Sequence, residues 1–227
     1  MTDADVFKRT AAERALELVH EGMLVGLGSG TTASFFIAGL GRLVAAGLDV
    51  VGLATSDRSA ELAAASGIPV LQEIDRLLDL AVDGADEIDP QCNVIKGHGG
   101  ALFREKIVAL NAERFIVVAD SSKLVDQLGR GSVPVEVLPF LWRQTAGRLA
   151  RLGATWELRE RAGQAYRTDN GNLILDLTFA GRIRDPEGLA LEMKRIPGVL
   201  EHGLFYDIAC GCIVAGAGGV QILGRIE

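Results

Sequence analysis

Residues 23–71 alternate short apolar runs with helix-patterned segments, and this alternation restricts the fold more than any other feature of the chain. Apolar runs of four to six residues bounded by glycines or polar loops read as strands buried on both faces. Residues 23–26 form the first strand, 33–43 a helix, 49–54 a second strand, 59–65 a second helix and 68–71 a short third strand. A helix over 3–20, stopped by Gly22, precedes them, and residues 80–82 and 115–119 supply further strands. The β-α-β-α-β order predicts an α/β fold built on a doubly wound, mostly parallel sheet. Ligands of such sheets bind beyond the carboxyl ends of the strands, so the chemistry is expected in the loops there.

The first such loop is Gly26-Leu27-Gly28-Ser29-Gly30-Thr31-Thr32. A glycine turn between a strand and a helix is an anion site, because unpaired amides and the helix dipole both face it. Ser29, Gly30, Thr31 and Thr32 are therefore candidate ligand contacts. The dinucleotide fingerprint needs glycine where Thr31 stands, and the acid usual after the second strand is replaced by Thr55-Ser56-Asp57. The nucleotide phosphate loop needs a lysine that is missing here. A small phosphorylated metabolite fits better, against the plainer reading of a turn that only closes a strand onto a helix.

The densest chemistry lies in VDGADEIDPQCNVIKGHGGALFREKIVAL, residues 82–110. Asp83 and Asp86 follow the apolar Leu80-Ala81-Val82, which places both carboxylates at the carboxyl edge of the sheet with Gly84 and Ala85 between them. Lys96-Gly97-His98-Gly99-Gly100 then leads into a helix over 101–112. Counting at about 100° per residue puts Phe103, Ile107 and Leu110 on an expected core stripe and Glu105 opposite, in line with Ala101 and Ala109. A carboxylate on a small-residue face beside a glycine loop suits a general base, although an isolated R-E-K triplet is more often a solvated helix surface. Asp120-Ser121-Ser122-Lys123 follows a strand and falls at the same edge, which makes Lys123 a candidate ligand contact.

Past Gly129 the pattern changes to β-α-β-β-α-β: a strand over 133–139, a helix over 140–152, strands over 155–161 and 173–179, a helix over 186–195 and a strand over 199–205. That order predicts a smaller α+β unit of the ferredoxin-like, split βαβ kind. Residues 212–215 and 220–223 are expected to return to the first sheet. The domain division is thus 1–129 with 206–227 for a Rossmann-like catalytic domain, and 130–205 for the smaller one. A net charge of −7 without a basic run argues against a nucleic-acid partner. Three cysteines without metal-ligand or disulfide spacing, no signal-peptide pattern and no apolar stretch of 18 residues point to a cytoplasmic protein with no membrane partner.

Five blocks in this order resemble the ribose-5-phosphate isomerase A family over nearly the whole chain: residues 26–32, Thr55-Ser56, Asp83-Gly84-Ala85-Asp86-Glu87-Ile88, Lys96-Gly97-x-Gly99 through Arg104-Glu105-Lys106, and Asp120-Ser121-Ser122-Lys123. The resemblance implies interconversion of ribose 5-phosphate and ribulose 5-phosphate through an enediolate, in the non-oxidative pentose phosphate pathway, with no metal and no organic cofactor. It implies that Glu105 is the base and that Asp83, Asp86 and Lys96 hold the sugar hydroxyls, assist ring opening and stabilise the oxyanion. Ser29 to Thr32 and Lys123 would contact substrate and phosphate, joined by Lys8, with Gly84, Ala85, Gly97, His98 and Gly99 shaping the pocket. His98 departs from the family's usual glycine. A homo-oligomer, most simply a dimer, is also implied. Two other readings are a sugar-phosphate sensor that keeps the pocket and loses the base, and an isomerase for another phosphosugar.

Overall fold

The structure is a computed structural model that describes residues 2–227. Its first part runs α1 (Asp3–Leu16), β1 (Leu24–Leu27), α2 (Gly30–Ala45), β2 (Val51–Ala54), α3 (Asp57–Ala65), β3 (Val70–Leu71) and β4 (Leu80–Asp83). Two short strands, β5 (Glu87–Ile88) and β6 (Val94–Ile95), precede α4 (Leu102–Leu110) and β7 (Phe115–Asp120), which runs into a 3-10 turn at Ser121–Lys123. The smaller unit holds β8 (Val133–Val137), α5 (Trp142–Ala150), β9 (Ala154–Leu158), the hairpin β10 (Glu160–Arg161) and β11 (Gln164–Ala165), β12 (Leu173–Phe179), α6 (Pro186–Lys194) and β13 (Val199–His202). The chain closes with β14 (Leu204–Phe205), β15 (Gly211–Gly216) and β16 (Gly219–Gly224).

Seven strands form the main sheet in the order β16-β15-β7-β4-β1-β2-β3, parallel apart from the edge strand β16. The expected return of the last two strands to this sheet is observed. Both faces are covered, and the strand residues alternate between the two layers. Leu80 and Val82 of β4 pack with Ala11, Ala15, Phe36 and Leu40 of α1 and α2, whereas Ala81 packs with Val108 and Ala109 of α4. This explains why the strands read as unbroken apolar runs. From β1 the chain steps outward to β2 and β3, then comes back to lay β4 on the other flank of β1. The chain therefore leaves β1 and β4 toward opposite flanks of the sheet, the switch point of a doubly wound fold, where ligand crevices form.

In the smaller unit the order β13-β8-β12-β9, all antiparallel, with α5 and α6 as the connections after β8 and β12, is the expected ferredoxin-like arrangement. Two expected strands are interrupted: that over 155–161 ends at Leu158, with Glu160–Arg161 in a separate hairpin with β11, and the other changes the architecture more. The strand over 199–205 breaks at Gly203, and its second half, β14, pairs with β6 in a separate three-stranded sheet with β5. The break is a close backbone crossing. Gly203 donates its N–H to Pro134 O at 2.7 Å and accepts from Lys96 N at 2.8 Å, and a Cβ at 203 would lie 2.0 Å from Lys96 O. Apolar residues on both sides of the glycine hide this break from the hydrophobic pattern. Among the described residues no helix is long and apolar enough to cross a membrane.

Candidate active site

Asp83 ends β4 against the glycine loop that ends β1. A Cβ at Gly28 would lie 2.2 Å from the Asp83 carboxylate, so glycine at this position is what allows the two loops to meet. Asp83 Oδ1 accepts from the backbone amides of Ser29 at 2.9 Å and Gly84 at 2.7 Å. Its Oδ2 faces Lys96 Nζ at 3.0 Å. The Lys96 ammonium also donates to Gly84 O at 2.5 Å and lies 3.4 Å from Glu105 Oε2. All three side chains are buried, at 2% exposure for Asp83, 3% for Lys96 and 5% for Glu105.

Three carboxylates, those of Asp83, Asp86 and Glu105, act on this single ammonium, and the imbalance sets the ionisation. Burial pulls Lys96 downward, yet Asp83 and Glu105 outweigh it and hold the lysine above its ordinary value. Burial likewise raises Glu105, to about 8; Lys96 opposes the rise, and Asp83 and Asp86 add to it. The sequence suggests a cation that limits the rise. In the structure that cation is shared with Asp83, so desolvation prevails. Glu105 Oε2 is buried without a hydrogen bond, the Lys96 ammonium standing 3.4 Å away.

The helix that carries Glu105 is turned about its axis relative to the sequence expectation. Ile107 and Leu110, assigned to a core stripe, are 48% and 61% exposed, while Leu102, Glu105, Lys106, Val108 and Ala109 are buried. Hydrophobic periodicity fails here because two charged residues face inward. Glu105 meets Lys96, and Lys106 meets acceptors from the smaller unit. Arg104 fixes the third side, donating to Asp57 Oδ1 at 2.7 Å, Asn170 Oδ1 at 2.9 Å and Asp169 O at 3.2 Å.

One cleft gathers most of the residues singled out in the sequence. Ser29, Gly30, Thr31 and Thr32, at the start of α2, line it together with Gly84, Ala85, Asp86, Lys96, Gly97, Gly99 and Glu105. Lys8 from α1 and Lys123 from the 3-10 turn reach the same cleft. Two lysines and the first turn of a helix thus share one cleft, an arrangement that favours anions. Asp83 stands behind Lys96 and is not part of the lining. His98 also points elsewhere. Its N–H donates to Asp86 Oδ2 at 3.0 Å, and its ring meets Asp86 Oδ1 at 3.4 Å and Ser132 O at 3.2 Å. The Ser29 hydroxyl is held in a cluster with Thr55, Ser56 and Ser59, at 2.8, 2.8 and 3.2 Å, so this residue serves the site through its backbone.

Sequence reasoning missed that hydroxyl cluster, although the Thr55-Ser56 pair was its visible part. It also missed Glu87, whose buried carboxylate accepts from the amides of Gly129, Arg130 and Gly131 and ties β5 to the start of the smaller unit.

With this geometry in place, the comparisons are specific. The profile of the family described as ribose 5-phosphate isomerase A (phosphoriboisomerase A) matches residues 51–219. Proteins called ribose-5-phosphate isomerase A from Gloeobacter violaceus and Gluconobacter oxydans are 52% and 50% identical to the chain, each match covering 97% of both sequences. A solved D-ribose-5-phosphate isomerase in complex with phospho-erythronic acid superposes with a TM-score of 0.94 at 42% identity, over 99% of this chain and 100% of the other. The ribose 5-phosphate isomerase from Plasmodium falciparum gives 0.93 at 33% identity, over 98% and 100%.

Proposed function

Because the chain belongs to the ribose-5-phosphate isomerase A family and interconverts ribose 5-phosphate and ribulose 5-phosphate, we propose that Glu105 is the base that moves the proton and Lys96 the cation that stabilises the oxyanion. The observation that carries this reading is the buried Glu105 carboxylate on the lining of the cleft, its Oε2 3.4 Å from the Lys96 ammonium. A proton beside a carbonyl is weakly acidic, so a base and a charge stabiliser must act together. From the aldose, Glu105 takes the proton on C2 while the C1 carbonyl oxygen gathers negative charge beside Lys96. The same carboxyl then returns the proton to C1 of the enediolate, and transfer of the proton on the C2 oxygen to the C1 oxygen leaves the ketose. Hydrogen moves as a proton throughout, so the scheme calls for neither redox cofactor nor metal.

Asp86 opens on the cleft and takes the sugar hydroxyls and ring opening in this reading. Asp83, behind Lys96, keeps the ammonium charged and aimed. The α2 amides with Lys8 and Lys123 hold the phosphate, and Gly84, Ala85, Gly97 and Gly99 let the sugar approach the backbone. His98 acts through Asp86. The phospho-erythronic acid in the complex of the solved relative is a phosphorylated sugar acid, which supports a cleft with a phosphate end and a reacting-carbon end. The sensor reading needs no base or oxyanion cation, and the Glu105-Lys96 pair weighs against it. We further propose that residues 1–129 with 206–227 form the catalytic domain and 130–205 the second domain, and that the protein works in the cytoplasm, which cell fractionation would check.

A coupled assay with ribose 5-phosphate in chelator is expected to show full activity. A folded protein that bound the phosphosugar without turning it over would transfer the assignment to the sensor. In the same assay Lys123→Ala is expected to raise KM about tenfold with a smaller change in kcat, because the phosphate on C5 is remote from the reacting carbons. An unchanged KM would remove Lys123 from the site. A two-fold dimer is part of the proposal. Light scattering that returned a 24.1 kDa particle at working concentration would sink it.

A further inference from the structure

Lys106 has no part in that scheme, yet it is buried as deeply as the neighbouring Glu105, at 5% exposure. A buried ammonium is costly unless acceptors surround it. Its Nζ donates to Glu201 Oε1 at 2.8 Å, His202 O at 2.7 Å and Leu204 O at 3.0 Å, and it faces His202 Nδ1 at 3.2 Å. Burial, reinforced by the Lys106 charge, pushes His202 down to about 3, so the imidazole is neutral and its Nδ1 can accept.

All four acceptors belong to residues 201–204, the segment that breaks at Gly203. The same segment fixes Lys96, whose N–H donates to Gly203 O at 2.8 Å. Phe205, next along the chain, is fully buried with both ammonium groups against its ring, Lys106 Nζ at 4.8 Å and Lys96 Nζ at 5.7 Å from the centroid. The base is attached to the protein through α4 and the oxyanion cation through the backbone after β6. Lys106 ties the first of these supports to the strand break that holds the second.

We propose that Lys106 is a positioning residue for the isomerisation: by clamping α4 onto the 201–204 break that also holds Lys96, it sets the separation between the Glu105 carboxylate and the Lys96 ammonium. The proposal rests on the reading of Glu105 as the base. Misplacement of a reacting group by about 1 Å can cost roughly 100-fold in rate. Packing alone would not demand a charged residue here, since Met has a similar length and fills a buried gap without needing acceptors.

Lys106→Met is the direct test. Glu201 keeps Lys194 Nζ at 2.6 Å, so its carboxylate is not stranded in the variant. The expected result is a kcat lower by roughly 10-fold to 100-fold, with KM changed less than about threefold. The acid limb of the kcat/KM profile should also move to higher pH, because a carboxylate farther from Lys96 is harder to ionise. Glu201→Gln keeps the shape and one acceptor, and it should show the same pattern at smaller amplitude; if Lys106→Met does not fold, this variant decides alone. A folded variant that melts at lower temperature but keeps the parent kcat and acid limb would overturn the proposal and leave Lys106 a structural strut. Failure of the underlying reading looks different, since Glu105→Gln would then retain turnover.

Discussion

Glu105→Gln is expected to lower turnover by at least ~100-fold, the low end for a positioned general base, while binding of the phosphosugar changes much less. The amide keeps the shape of the side chain and its place on α4 but cannot take a proton. The pH dependence gives the second signature. Burial raises Glu105 to about 8 against the pull of Lys96, and a carboxyl acts as a base only when ionised. Activity of the free enzyme should therefore rise with pH through a range well above that of an ordinary glutamate, and fall on acidification through one group. The kcat/KM profile of the parent protein reads this directly. Near-normal turnover in a folded glutamine variant would transfer the base to Asp86, which lines the cleft, before Asp83, which does not.

Lys96→Met should be as damaging, for two separable reasons. Loss of one donor aimed at a developing oxyanion costs about 100-fold to 1000-fold in kcat. The ammonium is also the only cation placed within 4 Å of both Asp83 and Glu105 among the described residues. Without it two buried carboxylates lose their shared counter-ion, and breaking such a pair destabilises a fold by about 3–5 kcal/mol. The variant should hold extra protons in this cluster, so its remaining activity should appear at higher pH than in the parent. Thermal unfolding separates the two losses. If turnover fell less than tenfold in a folded Lys96→Met protein, the oxyanion would have to be stabilised by the backbone instead.

Much of this architecture was legible because the main sheet is built from local units. Each strand, glycine loop and helix announces itself within about twenty residues, and the α+β unit follows from its element order alone. The candidate residues were legible for a related reason, since loops at one sheet edge converge whatever the details of packing. Orientation was harder to read. Periodicity assumes that apolar residues face inward, and on α4 that assumption is inverted: Ile107 and Leu110 stay at the surface while Glu105 and Lys106 are buried by partners far along the chain. The break at Gly203 escaped for the same reason, since its cause is Lys96 O on a distant segment. Asp83 was correctly placed at the strand end, but whether it faced substrate or stood behind Lys96 depended on the Gly28 crossing.

The contacts at Gly203 bear on how the protein comes to be active after synthesis. Beside them, Lys106 reaches Leu204 O, 98 residues farther along the chain. In the proposed reading the phosphate end is complete once Lys123 has been made, whereas the Glu105-Lys96 pair would acquire its spacing only when the smaller unit has emerged and β14 has docked on β6. Contacts of such long range are slow to gain, because the loop they close must lose its entropy first. On the proposed assignment a nascent or partly refolded chain would therefore possess an anion cradle before it possesses a catalyst, and substrate captured there would favour the folded form by mass action.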